Sequence, residues 1–297
     1  MRSRDADGSP RRYHGTPGWG ADVEHDLDVV TPRAAAALHG LLDAEGPSPG
    51  AGDVLPPLWH WLAFLPITAQ RELGSDGHPR VGGFLPSTGL PRRMFAGGTV
   101  DFVGSALVSA SLARRSRVTS VTEKEGRSGR LVFVAVTHEL SSGNVPVITE
   151  VQNLVYRGGG RYKAPPPVVD QRLGDPQWDW THELRTDPTV LFRFSALTYN
   201  AHRIHYDRGY ATDTEGYPGL VVQGPLQAVA LAELCRRYEP DRTLERFTFR
   251  ALTAAFGGAP LQLRGRHVNN DLIELVALTE GGHVTMSATA TLHPSGE

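Results

Sequence analysis

With 297 residues and 40% apolar content, the chain can build one large domain or two ordinary ones with real cores. A net charge of −2 gives no footprint for nucleic acid or an anionic membrane surface, and no apolar run approaches the ~20 residues a bilayer span requires. The single cysteine, Cys235, excludes a disulfide within the chain; it reads as a small buried hydrophobe in a reducing, cytoplasmic setting.

Residues 1–25 are rich in Arg, Asp, Gly, Pro and Ser, with no apolar stretch of a secretory signal. They read as a disordered tail. Thr31 and Pro32 are an N-cap and a first-turn proline, and predict a helix through the Ala34–Ala37 block to about residue 44. The aromatic segment 56–66 reads as a short buried helix. Residues 71–98 are punctuated by Gly and Pro and predict long irregular structure containing Arg92 and Arg93; such length is uncommon without a functional reason.

Strands are expected at 116–124, 130–140 and 145–156. In the middle one, Leu131, Phe133, Ala135 and Thr137 face one way and Val132, Val134 and Val136 the other. Both faces are apolar, so this strand is expected to be covered twice or to lie at an interface. Gly158-Gly159-Gly160 and Pro165-Pro166-Pro167 mark a linker, which divides the chain into 26–160 and 161–297. The second part begins with a strand at 180–185 and a short helix capped by Asp187. Later comes a helix from Pro225 to about Tyr238, apolar over most of its surface. Four more strands follow, at 246–251, 261–268, 272–279 and 284–292. One apolar helix followed by an antiparallel meander suggests a sheet curled round a central helix. The first part repeats the strand-rich ending without so clear a helix, and element order alone suggests that the halves share a fold.

Chemistry concentrates between Asn200 and Asp207, where an amide, two imidazoles (His202, His205), a guanidinium (Arg203), a phenol and a carboxylate fall within eight residues. Downstream, Val221-Val222-Gln223-Gly224-Pro225-Leu226 reads as a strand end turning into a helix. A base beside a helix N-terminus is what addition of water to an activated double bond requires. The base takes a proton from water, and the helix end steadies the oxyanion.

Phe194, Leu197, Thr198, His205 and Asp207 fall without gaps on the F-x-x-L-[ST]-G-D-x-N-P-x-H-x-D segment of MaoC-like (R)-specific enoyl-CoA hydratases, which the chain resembles. The 221–226 segment is similar to that family's V-x-H-G-x-L helix start. Four positions depart: Tyr199 replaces the glycine, Asn200 the aspartate, His202 the asparagine and Arg203 the proline. These departures resemble the branch of mesaconyl-C4-CoA hydratases and mitochondrial-type 3-hydroxyacyl-thioester dehydratases, whose usual form is N-x-H-[RK]-I-H-Y-D. Pro57-Leu58-Trp59-His60-Trp61, Gly83-Phe84-Leu85-Pro86 and Leu90-Pro91-Arg92-Arg93-Met94 also resemble that branch.

The resemblance implies an α+β double hot-dog fold, an acyl-CoA thioester substrate, no metal and no redox cofactor. The second half would be catalytic and the first would shape the acyl pocket. His205 is the expected general base. Asn200 cannot take a proton but can hold and aim water. His202 is a substitute base or the acid for the α carbon. The Gly224 amide would polarise the thioester carbonyl. Arg203, Tyr199, Gln223, Arg92 and Arg93 are expected at the substrate, the arginines suiting CoA phosphates or a free carboxylate on the acyl group. Hot-dog sheets commonly pair edge to edge, so a homodimer is expected. His202-x-x-His205 with Asp207 is also readable as a metal set, although zinc helices more often space histidines four apart. A hot-dog thioesterase and a noncatalytic acyl-thioester binder are the rival functions.

Overall fold

The computed structural model describes residues 23–80, 84–126, 129–162 and 178–293. Strand β1 (Glu24–Val29) precedes helix α1 (Pro32–Leu41), which opens as the sequence predicts: the Ala34 N–H donates to the Thr31 hydroxyl at 3.1 Å. The expected disordered tail therefore ends earlier than position 25, since Glu24 and His25 pair with Ser116 and Arg115; residues 1–22 lie outside the described residues. Helix α1 also stops short of 44, at a C-cap on Leu42. The 56–66 segment contributes only a 3-10 turn, Trp59–Leu62.

Strands β2 (Arg92–Phe102), β3 (Ser111–Gly126), β4 (Gly129–Ser142) and β5 (Val145–Arg157) complete the first half. The irregular segment is thus shorter than expected: Arg92 to Gly98 are already strand. The reason is close packing rather than turning. A Cβ at Gly97 would meet the Phe249 carbonyl oxygen at 2.3 Å, and one at Gly98 the Val151 oxygen at 2.6 Å. These glycines let backbones approach in mid-sheet, with a register shift between Phe95 and Gly97. In β4 Val132, Val134 and Val136 are buried against Tyr156 and Val121, and Thr137, His138 and Leu140 are buried further along the strand. On the opposite face Leu131, Phe133 and Ala135 are only half-buried, with Lys124 lying over the Phe133 ring, while Thr137 is buried, so the expected second covering is partial within the chain.

The second half runs β6 (Trp180–Leu184), α2 (Pro188–Leu197), α3 (Gly224–Tyr238), β7 (Leu244–Ala251), β8 (Leu261–His267), β9 (Leu272–Leu278) and β10 (Val284–Leu292). All strands join one antiparallel sheet in the order β1-β3-β4-β5-β2-β7-β10-β9-β8-β6. Read outward from the centre, each half has the same order: second strand, fifth, fourth, third, first. This is a double hot-dog. The expected edge-to-edge pairing is made within one chain, with Gly97 opposite Arg250 and Thr99 opposite Thr248. The argument for a homodimer is therefore already satisfied inside the molecule.

Ten consecutive residues of α3, Leu226 to Cys235, are buried, as its all-round apolar surface predicts. The helix packs on β8 and β10. The Gln227 carbonyl oxygen accepts from the Thr285 hydroxyl of β10 at 2.7 Å. In the first half the 3-10 turn is tied instead to β5. His60 and Trp61 bind the two oxygens of buried Glu150 at 3.0 and 2.9 Å, and Gln152 adds a third bond at 2.8 Å. Burial opposes charge on Glu150, but the hydrogen bonds and charge of His60, with help from His138 and Gln152, together outweigh it and hold the carboxyl down at about 2.

Candidate active site

A cleft of about 1760 Å³ separates the halves where β2 meets the start of α3. Its rim from the second half begins at the end of α2. There the Thr198 N–H donates to Phe194 and the chain turns through Tyr199, a non-glycine residue at φ +50°. The related family's glycine at this position has a physical reason, because the left-handed region strains any side chain bearing a Cβ. The turn returns the Asn200 N–H to the Ser195 carbonyl at 2.8 Å.

The Asn200 Oδ1 accepts the His202 backbone N–H at 3.1 Å. That fixes the amide's orientation and leaves Nδ2 as a donor without a partner among the described residues. His205 closes a short 3-10 turn, Arg203–His205, and is 8% exposed. Its Nδ1 lies 2.7 Å from the Val221 carbonyl oxygen. A carbonyl only accepts, so the proton sits on Nδ1 and the Nε2 lone pair is free. Burial lowers the ring's pKa to about 4, against the help of the Val221 carbonyl, and keeps it neutral. Burial lowers His202 further, to about 2, with the neighbouring imidazoles of His78 and His205 acting in the same direction.

Helix α3 begins at Gly224, where a helix leaves amides without intrahelical carbonyls. Its N-cap residue, Gln223, provides no side-chain cap. The Gly224 N–H has no hydrogen-bond partner among the described residues, and Gly224 lines the same cleft as His205, His202, Asn200 and Tyr199. One pocket thus combines an imidazole lone pair, an amide donor and a helix-terminal N–H.

Three expected substrate residues are engaged by protein partners instead. Gln223 is 0% exposed and absent from the cleft wall; its Nε2 donates to the Leu191 carbonyl at 2.8 Å and the Ser195 hydroxyl at 2.9 Å, locking α3 to α2. Arg203 pins the loop: it bonds Asp207 at 2.7 Å and the Ser75 carbonyl at 3.0 Å, and stacks over Tyr210. This also removes Asp207 from the alternative metal set. Arg92 borders the cleft but is spent on an ion pair with Glu215. Arg93 alternates to the other face of β2. It lines the cleft and has no ion pair among the described residues.

Sequence reasoning missed a contribution from the first half. The turn Gly74-Ser75-Asp76-Gly77-His78 packs on the 200–207 loop, with the Arg203 N–H donating to the Asp76 carbonyl at 2.9 Å. Gly77, at φ +88°, sits so close to Ala201 that a Cβ would lie 1.9 Å from its carbonyl oxygen. His78 stacks on His202 with ring centroids 4.0 Å apart. Asp76, His78 and His202 hold their potential ligand atoms within 4.8 Å of one another, so this trio could accept a cation. A Gly-Ser-Asp-Gly turn signals only a turn, and no local pattern ties position 78 to position 202.

Residues 58–257 match the family model of hydroxyacyl-thioester dehydratase type 2. The chain belongs to this family. It is 44% identical over 271 residues to mesaconyl-C(4)-CoA hydratase of Chloroflexus aurantiacus, covering 91% of this chain and 94% of that protein. It is 26% identical over 236 residues to the mitochondrial hydroxyacyl-thioester dehydratase type 2 of Schizosaccharomyces pombe, covering 70% and 77%. A MaoC-like dehydratase from Phytophthora capsici superposes with a TM-score of 0.65 at 16% identity, covering 92% of this chain and 96% of that one. That likeness is one of fold.

Proposed function

We propose that the protein reversibly hydrates an enoyl-CoA thioester, a hydro-lyase reaction needing no cofactor beyond the CoA carried by the substrate. The reading rests on one observation: the His205 imidazole, with its lone pair on Nε2, shares a cleft with the uncapped Gly224 amide. The Asn200 Nδ2 donates to a water oxygen and orients it. The His205 Nε2 takes the water proton as oxygen bonds to the β carbon. Electrons move onto the thioester oxygen, where the Gly224 N–H and the start of α3 steady the enolate. The enolate then takes a proton at the α carbon.

The acyl group is read as a branched C4–C5 dicarboxylic one such as mesaconyl-C4-CoA, the substrate in the name of the 44%-identical relative. Arg93 supports this, as a cleft guanidinium without a protein carboxylate among the described residues. The single buried thiol fits a cytoplasmic setting. No helix of the described residues is long and apolar enough to cross a membrane.

The test follows enoyl-thioester absorbance and free thiol together, with mesaconyl-C4-CoA and crotonyl-CoA as substrates. Absorbance loss without thiol is the expected outcome. Thiol release makes the protein a thioesterase, and no change with either substrate ends the reading. Arg93→Met should raise KM about tenfold or more for the dicarboxylic substrate and leave crotonyl-CoA nearly unaffected, in line with one charge-assisted contact. Equal effects on both substrates would remove the carboxylate role.

A further inference from the structure

The reaction written above uses His205, Asn200 and the Gly224 N–H, and gives the first-half turn at Asp76 no part. That turn holds Asp76 and His78 against His202. The three offer one carboxylate oxygen and two ring nitrogens within 4.8 Å of one another. No other such group of three occurs among the described residues. The His60–Glu150 and His267–Glu239 contacts each bring one imidazole to one carboxylate.

The spacing suits a metal ion. Two ligands of a tetrahedral zinc, each about 2.0–2.1 Å from it, stand about 3.3 Å apart. His78 Nδ1 and Asp76 Oδ2 stand 3.1 Å apart. Zinc binding displaces the hydrogen these two atoms share. The other Asp76 oxygen, Oδ1, accepts the His78 backbone N–H at 3.0 Å, which aims the carboxylate as an outer hydrogen bond aims a ligand. Gly74 leaves room for it, since a Cβ there would come within 2.9 Å of Oδ1. From the other half, the His202 ring stacks on His78, and its nitrogens have no hydrogen-bond partner among the described residues.

The protein itself holds the two parts of this set together. The Asp76 carbonyl accepts the Arg203 N–H at 2.9 Å, and the Ser75 carbonyl accepts from the Arg203 side chain at 3.0 Å. Gly77 lies against Ala201 too closely for any Cβ. His78 and His202 line the main cleft and Asp76 the smaller cavity beside it, so a fourth coordination position is open to water. We propose that Asp76, His78 and His202 form a binding site for a zinc-class divalent ion, and that the ion ties the 74–78 turn of the first half to the 200–207 loop of the second.

Two imidazole nitrogens and one carboxylate select a borderline ion. Zinc, and cobalt as its spectroscopic stand-in, take nitrogen donors, whereas magnesium and calcium are held by oxygens. Arg93 acts on His78 from β2 and opposes any cation. Affinity therefore comes from the nitrogen lone pairs rather than from accumulated negative charge. The site is additional to the hydration chemistry, because none of its ligands carries a step of the reaction as written above.

The test titrates zinc into the full-length protein, stripped with a chelator and then freed of it, with no substrate present. Expected for wild type is one zinc per chain, bound far more tightly than magnesium, and with cobalt the intense visible bands of a four-coordinate site. His78→Gln and His202→Gln should each weaken zinc by about a hundredfold or more, at or beyond the usual cost of losing an outer partner. Asp76→Asn should weaken it about tenfold, since the amide oxygen remains a poor ligand. Zinc at about a hundred times its Kd should raise the wild-type melting temperature by about 2 °C or more and leave that of His202→Gln unmoved. If His78→Gln does not fold, His202→Gln on the opposite half carries the same test. Zinc bound no more tightly than magnesium overturns the proposal. So does zinc bound equally by wild type and every folded variant, which would place it on other histidines. No turnover enters the measurement, so failure here and failure of the hydratase reading are separate results.

Discussion

The two halves follow the same strand order but spend their residues differently. In the first half β3, β4 and β5 run to 16, 14 and 13 residues, and a four-residue 3-10 turn lies against the sheet. In the second, β8, β9 and β10 have seven, seven and nine residues, wrapped round a 15-residue helix. The half that keeps the long helix keeps an uncapped N-terminus for an oxyanion. The half without it lines the cleft with Trp61, Phe95, His138 and Gln152 and replaces helix packing with the buried Glu150 network. On the proposed function, duplication of the fold would divide labour: the copy with the long helix would support the thioester oxygen, and the other would supply pocket and walls. The turn ending at His78 crosses that division, because this first-half residue packs against His202 of the second half.

Substitutions test the division from both sides. His205→Ala should lower turnover by about a hundred- to ten-thousandfold without unfolding the protein; activity near wild type would move the chemistry out of the second half. Glu150→Gln should act on the other side, costing about 3 kcal/mol of stability by breaking a buried paired charge while leaving the catalytic groups in place. The same carboxylate sets a pH dependence. Its folded pKa, about 2, lies below the ordinary 4.5, so its stabilisation is present above about 4.5 and is lost as pH falls towards 2. Acid melting curves of wild type and Glu150→Gln should converge in that window; parallel curves would show that the network carries no net stability.

Gly224→Ala should have an intermediate effect. Its Cβ would meet the Phe95 ring at 3.1 Å, so either the ring or the helix start must shift. A loss of about tenfold in kcat is expected, a fraction of the usual value of an oxyanion donor. An unchanged kcat would separate the helix terminus from the reaction. The smallest effect belongs to Tyr199→Gly, which removes left-handed strain at φ +50° and should raise stability by up to about 1 kcal/mol in a thermal melt. A drop would mean that the phenol contributes more by contact than its backbone loses by strain.

Much of this was legible in the sequence wherever the signal was local. Thr31 with Pro32, and Asp187 with Pro188, announced helix starts. Alternation gave β3 to β5 and β7 to β10, and the dense 200–207 segment marked a loop that lines the cleft. What stayed hidden depends on partners distant along the chain. The glycines at 97 and 98 suggested a loop because nothing local shows Phe249 and Val151 pressing on them. Gln223 looked like a substrate contact because its burial against Leu191 and Ser195 is a tertiary fact. Arg92 and Arg93 are one pair in sequence, but the pleat sends one to Glu215 and the other to the cleft. His78 lies 124 positions before its stacking partner.

The glycine seam between β2 and β7 has a mechanical meaning. Two lobes tied by one continuous antiparallel ladder, with Phe249 packed directly on the glycines, resist swinging like a clamshell. The seam therefore holds the cleft walls of the two halves, and with them the imidazoles of His78, His202 and His205, at a fixed separation.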